Sequence, residues 1–197
     1  MKLPFSRARR LAPNQSGTVA VEFALLAPLM ITLFLCCLEV TNLVMAYLKL
    51  NAAVQTAADL VAQQKTTQSI ANITDYANAA KDTMAPLPTA GLNVAFVSMV
   101  WVAGVPSMSP GPANGGWHQE VGGAAITAPD VIARRVCSGT NAAGTTVTAL
   151  CPNGDSVIIV QGTYAYSSPF SWLIPGNFNF VDIAITRPRF VTVVPHA

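Results

Sequence analysis

One stretch of this sequence constrains its fold more than any other. The residues from Thr18 to Tyr47 are apolar apart from two glutamates and a few uncharged polar side chains. Within it, FALLAPLMITLFLCCL (23–38) carries no charge. A helix needs about 20 mostly apolar residues, at about 1.5 Å each, to cross the hydrocarbon core of a bilayer. The stretch therefore predicts a transmembrane helix over residues 18–47.

The two glutamates, Glu22 and Glu39, limit where this helix can lie in a bilayer. Their spacing along a helix is roughly 25 Å, slightly less than the ~30 Å hydrocarbon core, so each is expected near a different interface. A carboxylate in a bilayer costs several kcal/mol unless it is neutralised, hydrated or paired. Glu22 is therefore a candidate functional residue, with hydration at the cytoplasmic interface as the alternative. Glu39 is expected to be a plain interfacial residue.

The flanking charges predict the direction of the helix. Lys2, Arg7, Arg9 and Arg10 precede it, whereas residues 48–62 contain only Lys49 as a basic residue. Because basic residues favour the cytoplasmic side, we predict a single pass with the N-terminus in the cytoplasm. A cleaved secretory signal is the alternative. Such signals have a shorter apolar core and an A-x-A type site, whereas this core continues into a helical pattern.

Glycine divides the chain into two regimes. None lies between Gly17 and Gly91, and all the others fall from residue 91 onward. Since glycine disfavours helices and supplies turns, the first half is predicted to be helical and the second to be strands and loops.

Two helices are predicted before Gly91. Apolar residues at steps of four, three and four indicate one face of an amphipathic helix from about Val19 to Gln64. These residues are Leu50, Val54, Ala57 and Val61. A second helix is predicted from about Gln68 to Met84, because prolines follow at positions 86 and 88.

Three segments of the second half are rich in β-branched and aromatic residues and predict strands: 92–102, 156–167 and 180–194. Pro188 favours an edge position for the third, or an end near Arg187. A short helix is predicted over 129–136. The expected fold class is α+β, with an antiparallel sheet of about three to five strands packed against the long helix.

Four cysteines fall into two pairs. Cys137 and Cys151 flank SGTNAAGTTVTAL on the side predicted to lie outside the cytoplasm, where thiols oxidise. A disulfide is predicted there, worth about 3 kcal/mol by loop closure, with two unpaired thiols as the alternative. Cys36 and Cys37 are adjacent inside the span and are expected to be small apolar fillers.

Composition and motifs argue against an enzyme. Only 10% of residues are charged and 52% are hydrophobic, which is more typical of a membrane-attached or secreted chain than of a cytosolic enzyme. The sequence has no HExxH, GxSxG, CxxC or phosphate loop. His118 with Glu120 could ligate a metal, but a solvated pair is the stronger expectation. Basic residues after the first 17 positions are too scattered for nucleic acid. We therefore expect no catalytic residue, cofactor, metal or nucleic-acid partner.

A motif at the start of the apolar stretch carries a family resemblance. The sequence reads NQSG, then TVAV, then Glu22 and Phe23, then ALLAP. This resembles the processing site of the Flp and TadE-like class of type IV pilins and pseudopilins, which belong to the tight-adherence (Tad) pilus machinery. The tail, VQGTYAYSSPFSW followed by VDIAITRPRF, is more loosely similar to the C-terminal strands of TadE-like proteins. Residues 85–135 match nothing familiar.

The resemblance implies a processing reaction and a role for Glu22. A prepilin peptidase would cut between Gly17 and Thr18 at the cytoplasmic face, so that Glu22 becomes the fifth residue of the mature chain. The new Thr18 ammonium could pair with Glu22 of the same or a neighbouring subunit, because Coulomb attraction is stronger at low dielectric. Phe23 completes the motif. Pro28 cannot donate a helical hydrogen bond, so a kink is expected there.

The resemblance also implies a function and an architecture. The chain would be a minor pilin or pseudopilin supporting Tad pilus biogenesis and adherence, in a TadE, TadF or short TadG-like role. Its partners would be the prepilin peptidase, other pilins and pseudopilins, the inner-membrane assembly platform and membrane lipid. The expected segments are a basic cytoplasmic leader (1–17), the transmembrane helix (18–47), a periplasmic stem with the second helix (48–84) and a β-rich, pilin-like head (91–197).

One alternative has a different function. The chain could be a single-pass inner-membrane envelope protein with a periplasmic ligand-binding or enzymatic domain. The spacing of Gly17 and Glu22 would then be accidental.

Overall fold

A computed structural model describes residues 16–65, 68–102, 105–107, 116–123, 125–137, 139–140, 146–147, 151–170 and 176–194. The predicted leader, 1–17, lies almost entirely outside these residues. The chain divides into two compact units, Met1–Thr41 and Asn42–Ala197.

The first helix, α1, spans Ser16–Ala62 and agrees with the predicted helix to within a few residues at each end. The hydroxyls of Thr32, Thr41 and Thr56 bond back to carbonyls one turn earlier, which satisfies these donors within the helix. Thr41 Oγ1 donates to the Cys37 carbonyl at 2.8 Å and Thr56 Oγ1 to the Ala52 carbonyl at 2.8 Å.

The second helix, α2, spans Ile70–Thr83 and confirms the second predicted helix. Ser69 caps its N-terminus, because the Ser69 hydroxyl oxygen accepts a hydrogen bond from the Asn72 N–H at 3.3 Å. The buried residues Ile73, Ala77 and Ala80 recur at steps of four and three, so one face of α2 enters the core.

The second unit contains a five-stranded antiparallel sheet. The strands are β1 (Leu92–Val102), β2 (Val105–Ser107), β3 (Trp117–Val121), β4 (Gly139–Thr140), β5 (Thr146–Val147), β6 (Ser156–Ser167) and β7 (Asn177–Thr186). In the sheet, β6 lies between β7 and β1, and β2 and β3 both pair with the other side of β1. β4 and β5 pair with each other in a separate two-stranded sheet. With the third helix, α3 (Pro129–Cys137), this confirms the predicted α+β class.

The third predicted strand was wrong beyond Thr186. β7 lies at the edge of the sheet and ends two residues before Pro188, so both expectations for that proline hold. The residues that follow form a strap across the end of α1 and the start of β6. The Arg189 N–H donates to the Ala62 carbonyl at 2.9 Å and the Ser156 N–H to the Thr192 carbonyl at 2.9 Å. The strap satisfies a helix-end carbonyl that α1 itself cannot.

The two faces of the sheet pack against different helices. One face packs against α2 and the part of α1 that follows Asn42. The predicted helix face is confirmed there: Leu50, Val54, Ala57 and Val61 are all 0% exposed. The opposite face packs against α3, with Val97, Met99 and Ile159 of the sheet against Ala133.

Gly162 of β6 allows α1 to approach the sheet closely. A Cβ at this position would collide with Cγ2 of Val54 and would lie 3.0 Å from Cδ1 of Leu50. The absence of a side chain on one central strand therefore positions the helix over the sheet.

Candidate functional site

The motif from Gly17 to Pro28 lies in the first turns of α1, which begins at Ser16. A Cβ added to Gly17 would meet no atom within 4 Å, and the φ angle of Gly17 is not in the left-handed region. Glycine within a helix is less stable than alanine by roughly 0.5–1 kcal/mol. Within the part of the chain that the structure describes, no steric contact requires a glycine at position 17.

Thr18 and Glu22 are four residues apart in α1, so their side chains lie on the same face of the helix, one turn apart. Both residues are exposed, and the neighbouring Phe23 is 72% exposed. The arrangement permits a contact between the two positions within one chain and also leaves Glu22 open to a neighbouring molecule. The ammonium–carboxylate pair itself stays a prediction.

Large apolar side chains cover the whole circumference of α1 in the first unit. The helix contains a window with a mean hydropathy of 2.3 and no buried residue. It is the one helix in the described part of the chain that is long and apolar enough to cross a membrane. A helix that is apolar all round is stable only in a lipid or protein environment. The helix is therefore compatible with single-pass membrane anchoring.

Pro28 lies inside α1 without ending it. The Pro28 carbonyl accepts a hydrogen bond from the Thr32 hydroxyl. Neighbouring hydroxyls of this kind help a membrane helix to tolerate proline. The expected kink at Pro28 stays a prediction.

Glu39 differs from the interfacial residue expected from the sequence, because its side chain is 0% exposed. Glu39 lies on the same stripe of α1 as the buried residues Ala46, Leu50 and Val54, seven residues before the first of them. That periodicity is visible in the sequence and could have indicated burial. Atoms of the chain itself therefore cover Glu39, and its depth in a membrane stays a prediction.

The predicted disulfide is present. Cys137, at the end of α3, is bonded to Cys151, which precedes β6, with a Cα–Cα distance of 5.2 Å. Nη2 of Arg187 lies 2.8 Å from Sγ of Cys151. The disulfide thereby fixes α3 to the sheet. Cys36 is half-buried, Cys37 is exposed, and both are free thiols.

An open groove of 690 Å³ lies between α1 and α2 and was not predicted. Met45 and Leu48 of α1 and Ala85 after α2 give it apolar walls, while Lys49 and Asp82 add one charge of each sign. No local pattern identifies the groove in the sequence, because it exists only when the two helices lie side by side.

A smaller pocket of 190 Å³ contains His118 and Glu120 at its edge. Both residues are exposed, and they lie two residues apart on β3, so their side chains share one face of the strand. In the described residues, no three His, Cys, Asp or Glu side chains lie close enough to hold a metal ion.

Two tyrosines of the second unit are shifted in acidity. Burial raises the pKa of Tyr164, whose hydroxyl donates to the Pro88 carbonyl at 3.0 Å. Burial, and to a smaller extent the charge of Asp75, raise the pKa of Tyr76, which donates to Oε1 of Gln68 at 2.8 Å. Both hydroxyls are hydrogen-bond donors within the fold, which is a structural role.

Comparison with known proteins adds one finding. No curated protein matches the chain, and no solved structure matches it. The family model described as TadE-like protein matches residues 17–59, which start at Gly17 and run through most of α1. The looser likeness of the tail falls outside this match. Residues 17–59 of this chain are therefore similar to the TadE-like family, which is consistent with a TadE-like pilin of the Tad system.

Proposed function

We propose that this chain is a minor pilin or pseudopilin of a Tad pilus, cut by a prepilin peptidase between Gly17 and Thr18. The match of residues 17–59 to the TadE-like family supports the coarser conclusion, a component related to the Tad pilus. The open space around Gly17 supports the proposal of cleavage, because no contact among the described residues requires a glycine at this position. A peptidase pocket that accepts only a small side chain supplies the missing reason.

The proposed mechanism after cleavage is assembly rather than catalysis. Removal of the leader creates an ammonium group at Thr18, one helical turn from the exposed Glu22. Inside a bilayer this pair is much stronger than in water, and it would set the register of one helix against the next. The exposed apolar surface of α1 would then contact lipid before assembly and other pilin helices afterwards.

Processing is tested by substitution at Gly17. Gly17→Arg should remain full length in cells that contain the peptidase. Gly17→Ala, which adds only a methyl group, should still be shortened. Intact mass and N-terminal sequencing of the mature protein provide the measurement. Normal shortening of Gly17→Arg would disprove cleavage at this bond. An N-terminus at Met1 in the wild-type protein would favour the single-pass envelope protein.

Assembly is tested separately at Glu22. Glu22→Ala should be cleaved normally but should abolish piliation, because the new amine loses its partner. Glu120→Ala, which removes an exposed glutamate of the second unit, is the matched control and should leave piliation unchanged. Wild-type piliation in Glu22→Ala would eliminate the pairing role while leaving the processing claim intact.

A further inference from the structure

The exposed apolar surface of α1 is longer than the hydrocarbon core of a bilayer. Large apolar side chains are exposed from Val19, at 67%, to Leu48, at 61%. At about 1.5 Å per residue this stretch measures about 45 Å, against about 30 Å for the hydrocarbon and about 40–45 Å with both headgroup layers. The outer end of the stretch therefore falls at the level of the lipid headgroups.

Two residues at this outer end fit the headgroup layer. Tyr47 is 46% exposed, and tyrosine is enriched at the boundary between lipid and water. Lys49 is the first basic residue after the apolar stretch, and a lysine at such a position extends its ammonium toward the lipid phosphates.

The open groove between α1 and α2 lies at this level of the helix. Met45, 40% exposed, and Leu48, 61% exposed, form an apolar wall next to Lys49. Asp82, in the last turn of α2, lines the same groove. The volume of 690 Å³ lies in the range of about 300–1,000 Å³ that is usual for small-molecule sites.

The charges of the groove favour a ligand that carries both signs. In the described part of the chain, the ion pair within 4 Å joins Arg189 to Asp59 and involves neither Lys49 nor Asp82. The C-terminal end of α2 adds partial negative charge on the side of Asp82. A simple anion would be repelled by Asp82 and a simple cation by Lys49, whereas a zwitterion can satisfy both residues.

We propose that this groove binds the headgroup of a phospholipid that carries a phosphate and a primary ammonium group. Lys49 contacts the phosphate, Asp82 accepts hydrogen bonds from the ammonium, and Met45 and Leu48 pack against the upper part of an acyl chain. A quaternary ammonium has no N–H to donate to Asp82, and a headgroup with only a phosphate leaves Asp82 without a partner. The site therefore distinguishes among lipids of similar size.

The test uses the full-length protein in nanodiscs that contain equal amounts of phosphatidylethanolamine, phosphatidylcholine and phosphatidylglycerol. Native mass spectrometry after release from the nanodisc measures which lipids stay bound. We expect phosphatidylethanolamine to be retained about fivefold over each of the other two, the ratio that one or two partly exposed charged hydrogen bonds provide. Lys49→Gln and Asp82→Asn should each bring this ratio close to one.

Matched controls are available on α2. Lys81→Gln and Asp75→Asn remove the same charges from nearby positions that do not line the groove, and both should keep the wild-type ratio. Circular dichroism and an intact Cys137–Cys151 bond show that each variant is folded. Equal retention of the three lipids, preference for phosphatidylglycerol, or loss of the ratio in the controls would overturn the proposal.

A second copy of the chain in the groove would also overturn it. Cysteine introduced at Ala52, which lines the groove, would then cross-link between copies, and no lipid would be retained. The assay needs no peptidase and no pilus. Its failure is therefore distinguishable from failure of the proposed processing and assembly.

Discussion

The helix α1 is used in two different ways along its length. In the first unit, Leu29 is 58% exposed and Phe34 is 63% exposed, although both are apolar. In the second unit, Leu50 and Val54 of the same helix are 0% exposed because they pack into the core. The large apolar side chains of the first unit are therefore available for contacts outside the chain, while those of the second unit stabilise its own fold. The same type of substitution should have opposite consequences in the two regions.

The largest difference is expected for leucine. Leu50→Ala should lower the free energy of unfolding of the second unit by about 3 kcal/mol, because it removes buried methyl groups and leaves a cavity under Gly162. Leu29→Ala, in the first unit, should change it by less than about 0.5 kcal/mol. Urea unfolding of the full-length protein in detergent measures both, with fluorescence of the buried Trp101 and Trp117 as the signal. Equal effects would contradict the division between the two regions.

The cysteines sharpen the same comparison. Replacing both Cys137 and Cys151 by alanine should lower the free energy of unfolding by about 3 kcal/mol, because the bond closes a loop with a sequence separation of 14. Replacing both Cys36 and Cys37 by alanine should leave it unchanged, since both are free thiols in the first unit. Urea unfolding with and without a reductant provides the measurement. If reductant does not weaken the wild-type protein, the disulfide contributes no stability.

The sequence predicted some elements well because their signal is local. The bounds of β1 and β6 agree with the predicted strands, since both segments are rich in β-branched and aromatic residues. β2 and β3 were not predicted, because they are short and become strands only by pairing with β1. The composition of the segment after Pro188 is typical of a strand, yet its hydrogen bonds join it to α1, β6 and the Trp117 side chain of β3.

The candidate sites also divide into one with a local sequence signal and one that depends on tertiary packing. The motif from Gly17 to Phe23 is linear, so the sequence alone locates it. The groove depends on Lys49 and Asp82 lying on two adjacent helices, which no local pattern encodes. Burial of Glu39 also escaped prediction, because a charged residue next to an apolar run suggests an interface.

Ionisation of tyrosine at alkaline pH should act on the second unit, because the segment 16–41 has no tyrosine. Burial raises the pKa of Tyr164 in the folded state above the value of about 10 that it has when unfolded. Above pH 10 the unfolded chain therefore loses this proton first, so stability falls as the pH rises toward the native pKa. At pH 7, Tyr164→Phe should lower the free energy of unfolding by about 1 kcal/mol, because it removes the hydrogen bond to Pro88. Between pH 10 and pH 11, the free energy of unfolding of this variant should fall less steeply than that of the wild type.

Urea unfolding at several values between pH 7 and pH 11 measures this difference. Tyr76, whose pKa is also raised, keeps part of the alkaline sensitivity in Tyr164→Phe. The double variant with Tyr76→Phe should therefore be flatter with pH than either single variant. If the free energy of unfolding of Tyr164→Phe falls as steeply as that of the wild type above pH 10, Tyr164 does not titrate as proposed.

The smallest effect is expected at two serines, and it tests whether burial alone makes a polar group stabilising. Ser98 of β1 is 0% exposed, and its hydroxyl has no hydrogen-bond partner within the described residues. Ser156 of β6 is equally buried, but its hydroxyl donates to the Thr192 carbonyl at 2.9 Å. Ser156→Ala should cost about 1 kcal/mol, whereas Ser98→Ala should be neutral or stabilising by up to about 1 kcal/mol. Urea unfolding under identical conditions compares the two, and a loss at Ser98 as large as at Ser156 would mean that its hydroxyl has a partner in the folded protein.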